Sequence, residues 1–523
     1  MLFLLPIILF GLTCVALALL RLRGMRMAYI WLLPAFITLV CWSLFLVLPV
    51  PATASVIKIP WLYSLEESGS LVFNLDSNSW GFVFLLISLV LSYFFTLPIR
   101  LEQEKRTVLW IGWMLLSISA VLSFTAGSII TLILAWTLFD LVDFAFSFFV
   151  LKTAAEEQSL AEPYLSKILS VSLLIVANVF LKPGSTQLIP NSLQPIAYFL
   201  ILFAAVFRTG LFPFRLVKRA DDQSGVSFEF LKKITLVLSG FSLLSHLPAN
   251  FLNVISNSLL GIIFLFLSLF FTIISLFKHA NTYEVWLDGV ICLAIISVFS
   301  GNPQTLLGWA GVVMAGAGVQ QFYSMRSSRF NYSALLGVVA VSGLPLTIGL
   351  VALNGLSSKG NFLWEILCLP VYSLLLLDLI QKIITPQKDK PAVESWYLAV
   401  YFFGLFLLAL SPFALIVKRV ITSTDAFENW WMGVLVAVIT LAAFLLNLRQ
   451  KDLKTKLEEY SNKLAPILDF LCFNWLNEVW KWVSLIITEV FSFITQLLEG
   501  EGGVIWAIVI LALLVSIIGA GRS

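Results

Sequence analysis

The stretch "FRTGLFPFRLVKR", residues 207–219, sets a permanent cation, Arg208, and a helix breaker, Pro213, inside an apolar run that then turns basic. Proline removes a backbone donor and clashes with the turn before it, so carbonyls near residue 209 lose their helical partners. At membrane depth such backbone survives only inside protein or beside a wet cavity. The stretch therefore predicts a discontinuous helix within a bundle, with Arg208 turned inward toward a carboxylate, Asp140 or Asp143. The other reading is an arginine that snorkels to the headgroups, since Arg215 follows seven residues later.

The rest of the chain supplies the bundle. Of 523 residues, 60% are hydrophobic and 12% charged, and the mean hydropathy is +0.99, far from a soluble balance. Apolar runs near the ~20 residues that cross a bilayer recur from end to end, giving roughly sixteen spans and no room for a soluble catalytic domain. The predicted class is an all-α polytopic membrane protein with discontinuous helices. The first span lacks a preceding basic region and a cleavage site, so it reads as a retained helix rather than a signal peptide. Alternating the spans puts Arg21, Arg23 and Arg26 on one side with Arg100, Lys105, Arg106, Arg215, Lys218, Arg219, Arg326, Arg329, Lys388, Lys390 and Arg449. Short cytoplasmic loops carry such an excess, which places both termini on the non-cytoplasmic face; Lys418 and Arg419 fall on the wrong side.

Five regions follow: 1–105, helices with an outer loop at 51–79; 106–390, a core rich in intramembrane charge; 391–447, further helices; 448–503, a broken amphipathic stretch; and 504–523, a final span. The fourth contains "LEEYSNKLAPILDFLCFNWLNEVWKWVSLIITEVFSFITQLLEG", residues 457–500, too interrupted by charge to cross a membrane. Its Trp475, Trp480 and Trp482 suit a helix lying along the interface or bracing other subunits; a plain amphipathic connector is the alternative. The net charge of +3 follows from the loop bias, so no nucleic-acid partner is implied. Five single cysteines, two histidines and the lack of a glycine-rich phosphate or dinucleotide fingerprint leave no expected metal, haem, nucleotide or flavin: no cofactor and no catalytic or redox site in this chain.

A charge at the centre of a membrane helix costs at least about 2.5–3.5 kcal/mol, so each needs a partner, water or a role. In "AWTLFDLVDFAFSFF", residues 135–149, Asp140 and Asp143 share a helical face, and at least one of them is expected to be protonated or paired with a cation, unless they sit in headgroup water at a helix end. In "FEFLKKITLVLSG", residues 228–240, Glu229 and Lys233 have the i, i+4 spacing of an ion pair, and Lys232 or Lys233 could shed a proton as arginine cannot; an interfacial helix start is the bland alternative. Between Asp288 and Arg326 there is no charge, only Gln320 and Gln321 as polar relay candidates. Pro345 marks a second candidate helix break.

Six segments in this order resemble the antiporter-like membrane subunits shared by respiratory complex I, membrane-bound hydrogenases and multisubunit cation/proton antiporters. They are "LVFNLDSNSWGFVFLLISLVLSYFF", "AWTLFDLVDFAFSFF", "FRTGLFPFRLV", "FLKKITLVLSGFSLL", "ALLGVVAVSGLPLTIGLVALNGLSSK" and "LLEGEGGVIWAIVILALLVSII". The resemblance spans nearly the whole chain and implies an inverted repeat and a long form with a lateral segment. It also implies a mid-membrane row of lysines and carboxylates. Several positions depart from the family. Thr137 stands at its glutamate, with Asp140 one turn later; Arg208 replaces its lysine; Arg215 falls near its histidine; and "LLGWAGVVMAGAGVQQFYSM" lacks its central lysine.

The resemblance implies an antiporter-like subunit of a complex-I-like, redox-driven assembly in a bacterial inner membrane, moving protons or Na⁺ through a relay that these departures impair or reroute. Its partners would be other membrane subunits and the lipid bilayer. The alternatives are a non-conducting structural subunit, favoured by Thr137 and Arg208, and an ion-coupling subunit of an inorganic-carbon-uptake or cation-antiport complex.

Overall fold

A computed structural model describes residues 4–23, 29–51, 55–60, 70–100, 107–150, 154–180, 188–189, 195–211, 226–248, 259–277, 283–323, 331–357, 362–384, 394–418, 420–421 and 429–449, with five scattered positions between 482 and 492. These residues form an all-α polytopic membrane protein. The helices are α1 (Leu4–Leu22), α2 (Leu32–Val47), α3 (Ser77–Arg100), α4 (Thr107–Phe124), α5 (Ile129–Val150), α6 (Ala154–Val179), α7 (Pro195–Arg208) and α8 (Val226–Leu244). They continue as α9 (Leu259–Phe277), α10 (Tyr283–Phe299), α11 (Leu306–Phe322), α12 (Asn331–Val341), α13 (Ile348–Asn354), α14 (Phe362–Ile384), α15 (Ser395–Val417) and α16 (Trp430–Arg449). The expected windows fall on these helices, with α12 and α13 as two halves of one span. The final span expected at 504–523, and nearly all of the amphipathic stretch, lie outside the described residues.

Six of the described helices are long and apolar enough to cross a membrane on their own: α1, α3, α4, α5, α14 and α15. Among the others, Leu32–Val47, Tyr164–Val179, Pro195–Arg208, Leu260–Leu276, Tyr332–Val341 and Trp430–Leu446 are shorter apolar stretches. Helix α3 is the axis of the bundle, its side chains almost wholly buried from Trp80 to Leu97. By contrast α1 leaves Ile8, Leu12, Val15 and Leu19 exposed, the apolar outer face expected against lipid or a neighbour.

The loop between α2 and α3 contains structure that composition does not announce. Strands β1 (Ser55–Pro60) and β2 (Ser70–Leu75) pair antiparallel, with Val56 opposite Asn74 and Ile57 opposite Phe73. The hairpin grips the α4–α5 corner: Asn74 N–H donates to Thr125 O at 2.7 Å, Gly127 N–H to Val72 O at 2.7 Å, and Val72 N–H to Thr131 Oγ1 at 2.9 Å. It thereby sets the start of α5, the helix that carries Asp140 and Asp143.

The misplaced cation Lys418 has a local reason. Its Nζ donates to Leu48 O at 3.3 Å and Val47 O at 3.5 Å, the carbonyls at the C-terminal end of α2, where a cation complements the helix dipole.

Among the described residues, helices break off at the end of α7 and between α12 and α13. The second holds Pro345, with Gly343 at φ +77° and Leu346 at φ +65°. Its freed backbone groups are met from the side. Tyr372 donates to Val341 O at 2.6 Å, and Thr347 Oγ1 accepts from Leu350 N–H at 3.4 Å as the N-cap of α13.

Candidate functional site: a buried row of alternating charge

At the first break the helix ends on Arg208. Thr209 N–H still reaches Ala205 O at 3.0 Å, Gly210 N–H turns to Phe207 O at 3.1 Å, and Gly210 takes φ +73°, a conformation open to glycine. This glycine, three residues before Pro213, closes the described helix; Pro213 and Arg215 lie outside the described residues. Arg208 is 1% exposed, so its charge must be met from within. Its Nη1 donates to both carboxylate oxygens of Asp140, at 2.8 and 2.7 Å, and Nη2 approaches Trp136 O at 3.5 Å. The guanidinium lies 4.7 Å from the Trp136 ring centre and 5.3 Å from that of Phe139. Trp136, Phe139 and Asp140 sit on one face of α5, so a single helix supplies the stacking surfaces and the counter-ion. Thr137 is exposed, its hydroxyl spent on Leu134 O at 2.9 Å; it does not face Arg208.

One turn on, Asp143 is wholly buried and shared by two ammonium groups, Lys167 of α6 and Lys232 of α8, the latter at 2.9 Å. Lys232 also meets Glu229 at 2.8 Å and Ser147 Oγ at 3.1 Å. The i, i+4 pair expected between Glu229 and Lys233 is therefore replaced by an i, i+3 pair to Lys232. Lys233, rotated about 100° further around α8, pairs instead with Asp288 of α10 at 2.7 Å. Asp140 pairs with Arg208 and Asp143 with Lys167 and Lys232, while Lys232 and Lys233 join the row from different faces of one helix.

Beyond Asp288 the charges leave the expected helix. No charge lies between 289 and 325, but Gly289 packs against Thr272 of α9, and one turn further Ser275 donates to Asp378 of α14 at 2.6 Å. Lys382 completes this cluster, 2.8 Å from Asp378 and 2.9 Å from Ser275 Oγ. The polar line thus runs Arg208, Asp140, Asp143, Lys232, Lys233, Asp288, then through α9 hydroxyls to Asp378 and Lys382. Gln320 is buried on α11 with neither end of its amide partnered, and Gln321 is half-buried beside it. A buried amide of this kind calls for ordered water.

Sequence reading missed Lys167, Asp378 and Lys382. A signal exists for each: a lone charge within an apolar run, and an Asp–Lys pair four apart in "LLLLDLIQKII", which reads equally well as a helix end. Among the described residues no group of three His, Cys, Asp or Glu is placed to hold a metal. Cys14, Cys41, Cys292 and Cys368 are buried and free.

Solved structures of membrane complexes contain chains that share this fold. A chain of the Mrp complex from Dietzia sp. aligns over 100% of this chain and 63% of its own length, with TM-score 0.62 and 13% identity. This chain thus spans less than two thirds of that subunit. A chain of respiratory complex I from Thermus thermophilus with bound aureothin aligns over 79% of this chain and 98% of its own, at TM-score 0.56 and 14% identity. A chain of the membrane-bound sulfane sulfur reductase, an archaeal respiratory membrane complex, aligns over 98% and 99%, at TM-score 0.57 and 14% identity. The resemblance to antiporter-like membrane subunits holds at the level of the fold. No protein-family model and no curated protein sequence matches the chain.

Proposed function

We propose that this chain is an antiporter-like subunit that moves protons, or Na⁺, across a membrane as part of a redox-driven multisubunit complex. The observation that carries the reading is the row itself: Arg208 holds Asp140, Asp143 one turn on is shared by Lys167 and Lys232, the adjacent Lys233 pairs with Asp288, and hydroxyls of α9 lead on to Asp378 and Lys382. Buried charges are expensive and are retained where ions pass. Lys232 between Asp143 and Glu229, and Lys233 against Asp288, can exchange partners as a proton arrives or leaves, because lysine titrates where arginine does not. Arg208 then serves as a fixed positive charge holding Asp140. The cluster on α14 takes over where α11 has no lysine, so the relay is rerouted. The partners are other membrane subunits, as the fold relatives are chains of multisubunit membrane complexes. By the loop bias of Lys and Arg, the face bearing the β-hairpin is the non-cytoplasmic one. The redox part of the proposal draws on two of the three fold relatives, which come from respiratory complexes.

The test is Asp140→Asn in the native assembly, purified in mild detergent with its partners identified by mass spectrometry and returned to sealed vesicles. Ion-linked activity is expected to disappear with the complex still assembled. Unchanged pumping removes the row as a route and leaves a structural subunit. Co-purification with only an antiporter or hydratase-like partner removes the redox part.

A further inference from the structure

Outside the row, one titratable cluster lies just beyond the end of α8, at the hairpin face. Asp76 caps α3, its Oδ1 accepting from Ser79 N–H at 2.7 Å, while its Oδ2 lies 3.7 Å from His246 Nε2. His246 Nδ1 is 2.8 Å from Ser242 O, so that nitrogen carries the hydrogen and Nε2 is left to take or give a proton. The 3.7 Å gap is too long for a direct hydrogen bond and suits a bridging water. Both side chains reach solvent, at 23% and 32% exposure. Among the described residues Asp76 is the one titratable group against His246.

His246 follows two residues after the helix that carries Lys232. Fourteen residues separate Lys232 from His246, about 21 Å along α8. Between them Thr235, Ser239 and Ser242 fall at steps of three and four, so one face of α8 is polar from the row to the histidine, and all three are buried. Helix α4 adds a second line. Ser123 Oγ lies 3.4 Å from Ser239 Oγ, and Ser119, also buried, is one turn before it. At the outer end Ser245 accepts from Asn78 at 2.9 Å beside Asp76.

We propose that His246, positioned by Asp76, is the proton-release site on the hairpin face, fed from Lys232 along the hydroxyl-lined seam between α4 and α8. The inference rests on the reading of the row as an ion path and gives that path an outlet. Each transfer moves one proton: Nε2 accepts it through water from the seam, the imidazolium is held by the Asp76 carboxylate, and the proton then passes to outer water. The electrostatics agree. Burial alone would raise the Asp76 carboxyl, but His246 and the Ser79 amide outweigh it and bring it down to about 2. Burial alone would lower the imidazole, but Asp76 and the Ser242 carbonyl outweigh it and raise it.

Two measurements test this on the native assembly. In sealed vesicles, His246→Ala should slow ion-linked proton release on the order of tenfold or more. Added imidazole should restore most of it, as it would not restore a merely structural loss. Asp140→Asn, run in parallel, should abolish release with or without imidazole. Release at the normal rate in His246→Ala, or a loss that imidazole leaves untouched, overturns the outlet. If only that happens while Asp140→Asn is inactive, the row stands and the outlet alone fails. Separately, modification of His246 by diethyl pyrocarbonate should follow a pKa above about 6.5 that drops toward that value in Asp76→Asn. An unmoved profile in Asp76→Asn overturns the pairing.

Discussion

Replacing Asp143 with Asn is expected to abolish ion movement and to lower stability by about 3–5 kcal/mol, the range for removing one partner of a buried ion pair. The substitution keeps the volume and removes the charge, so packing is not the cause. Lys232 retains Glu229 at 2.8 Å. Among the described residues Lys167 retains the face of Tyr164, 4.3 Å away, and no carboxylate. The cost therefore falls on Lys167, which gives the prediction a second arm: Asp143→Asn with Lys167→Met should recover most of the stability, since removing both partners of a buried pair is often nearly neutral. It should not recover transport, because Lys232 still lacks its acid. Thermal unfolding of the detergent-solubilised complex and ion flux in vesicles separate the two effects. A single variant as stable as the parent would mean that Asp143 does not compensate the lysines.

The second large effect is structural. A methyl group at Gly433 would overlap the carbonyl oxygen of Gly343, backbone against backbone, where α16 crosses the link between α12 and α13. No side chain can rotate to make room, so Gly433→Ala must push α16 away from the break. Overpacking of this kind costs about 1–3 kcal/mol, and more where the obstacle is main chain. The displaced link carries Val341, whose carbonyl is held by Tyr372, so the second broken helix should loosen as well. The expected result is a lower melting temperature and reduced ion-linked activity. Gly11→Ala is the control: nothing lies within 4 Å of a methyl there, and alanine in a helix should be neutral or stabilising by up to about 1 kcal/mol. Equal melting temperatures for the two variants would rule out the close approach.

The membrane class, the helical stretches of the bundle and the placing of Asp140, Asp143, Arg208, Lys232 and Lys233 on apolar helices were legible from the chain alone. Hydropathy is a local property, and every backbone group in lipid must be satisfied within its own segment, so each window reports its helix without reference to the others. The cost of an unpaired charge in lipid likewise marks these residues as significant before any partner is known.

Which charge meets which was decided only in the folded bundle. Lys232 and Lys233 are adjacent in sequence, yet the 100° step of a helix sends one to Asp143 and the other to Asp288, and no spacing rule distinguishes them without knowing where α5 and α10 stand. Asp378 and Lys382 read as a helix end until Ser275 places them beside the row. The β-hairpin exists because its backbone is paired across the loop and against the α4–α5 corner. His246 gains its meaning from Asp76, 170 residues earlier in the chain. Composition and periodicity settled what must be buried; the packing of helices distant in sequence settled what each buried charge faces, because ion pairing acts through space and the sequence records only order along the chain.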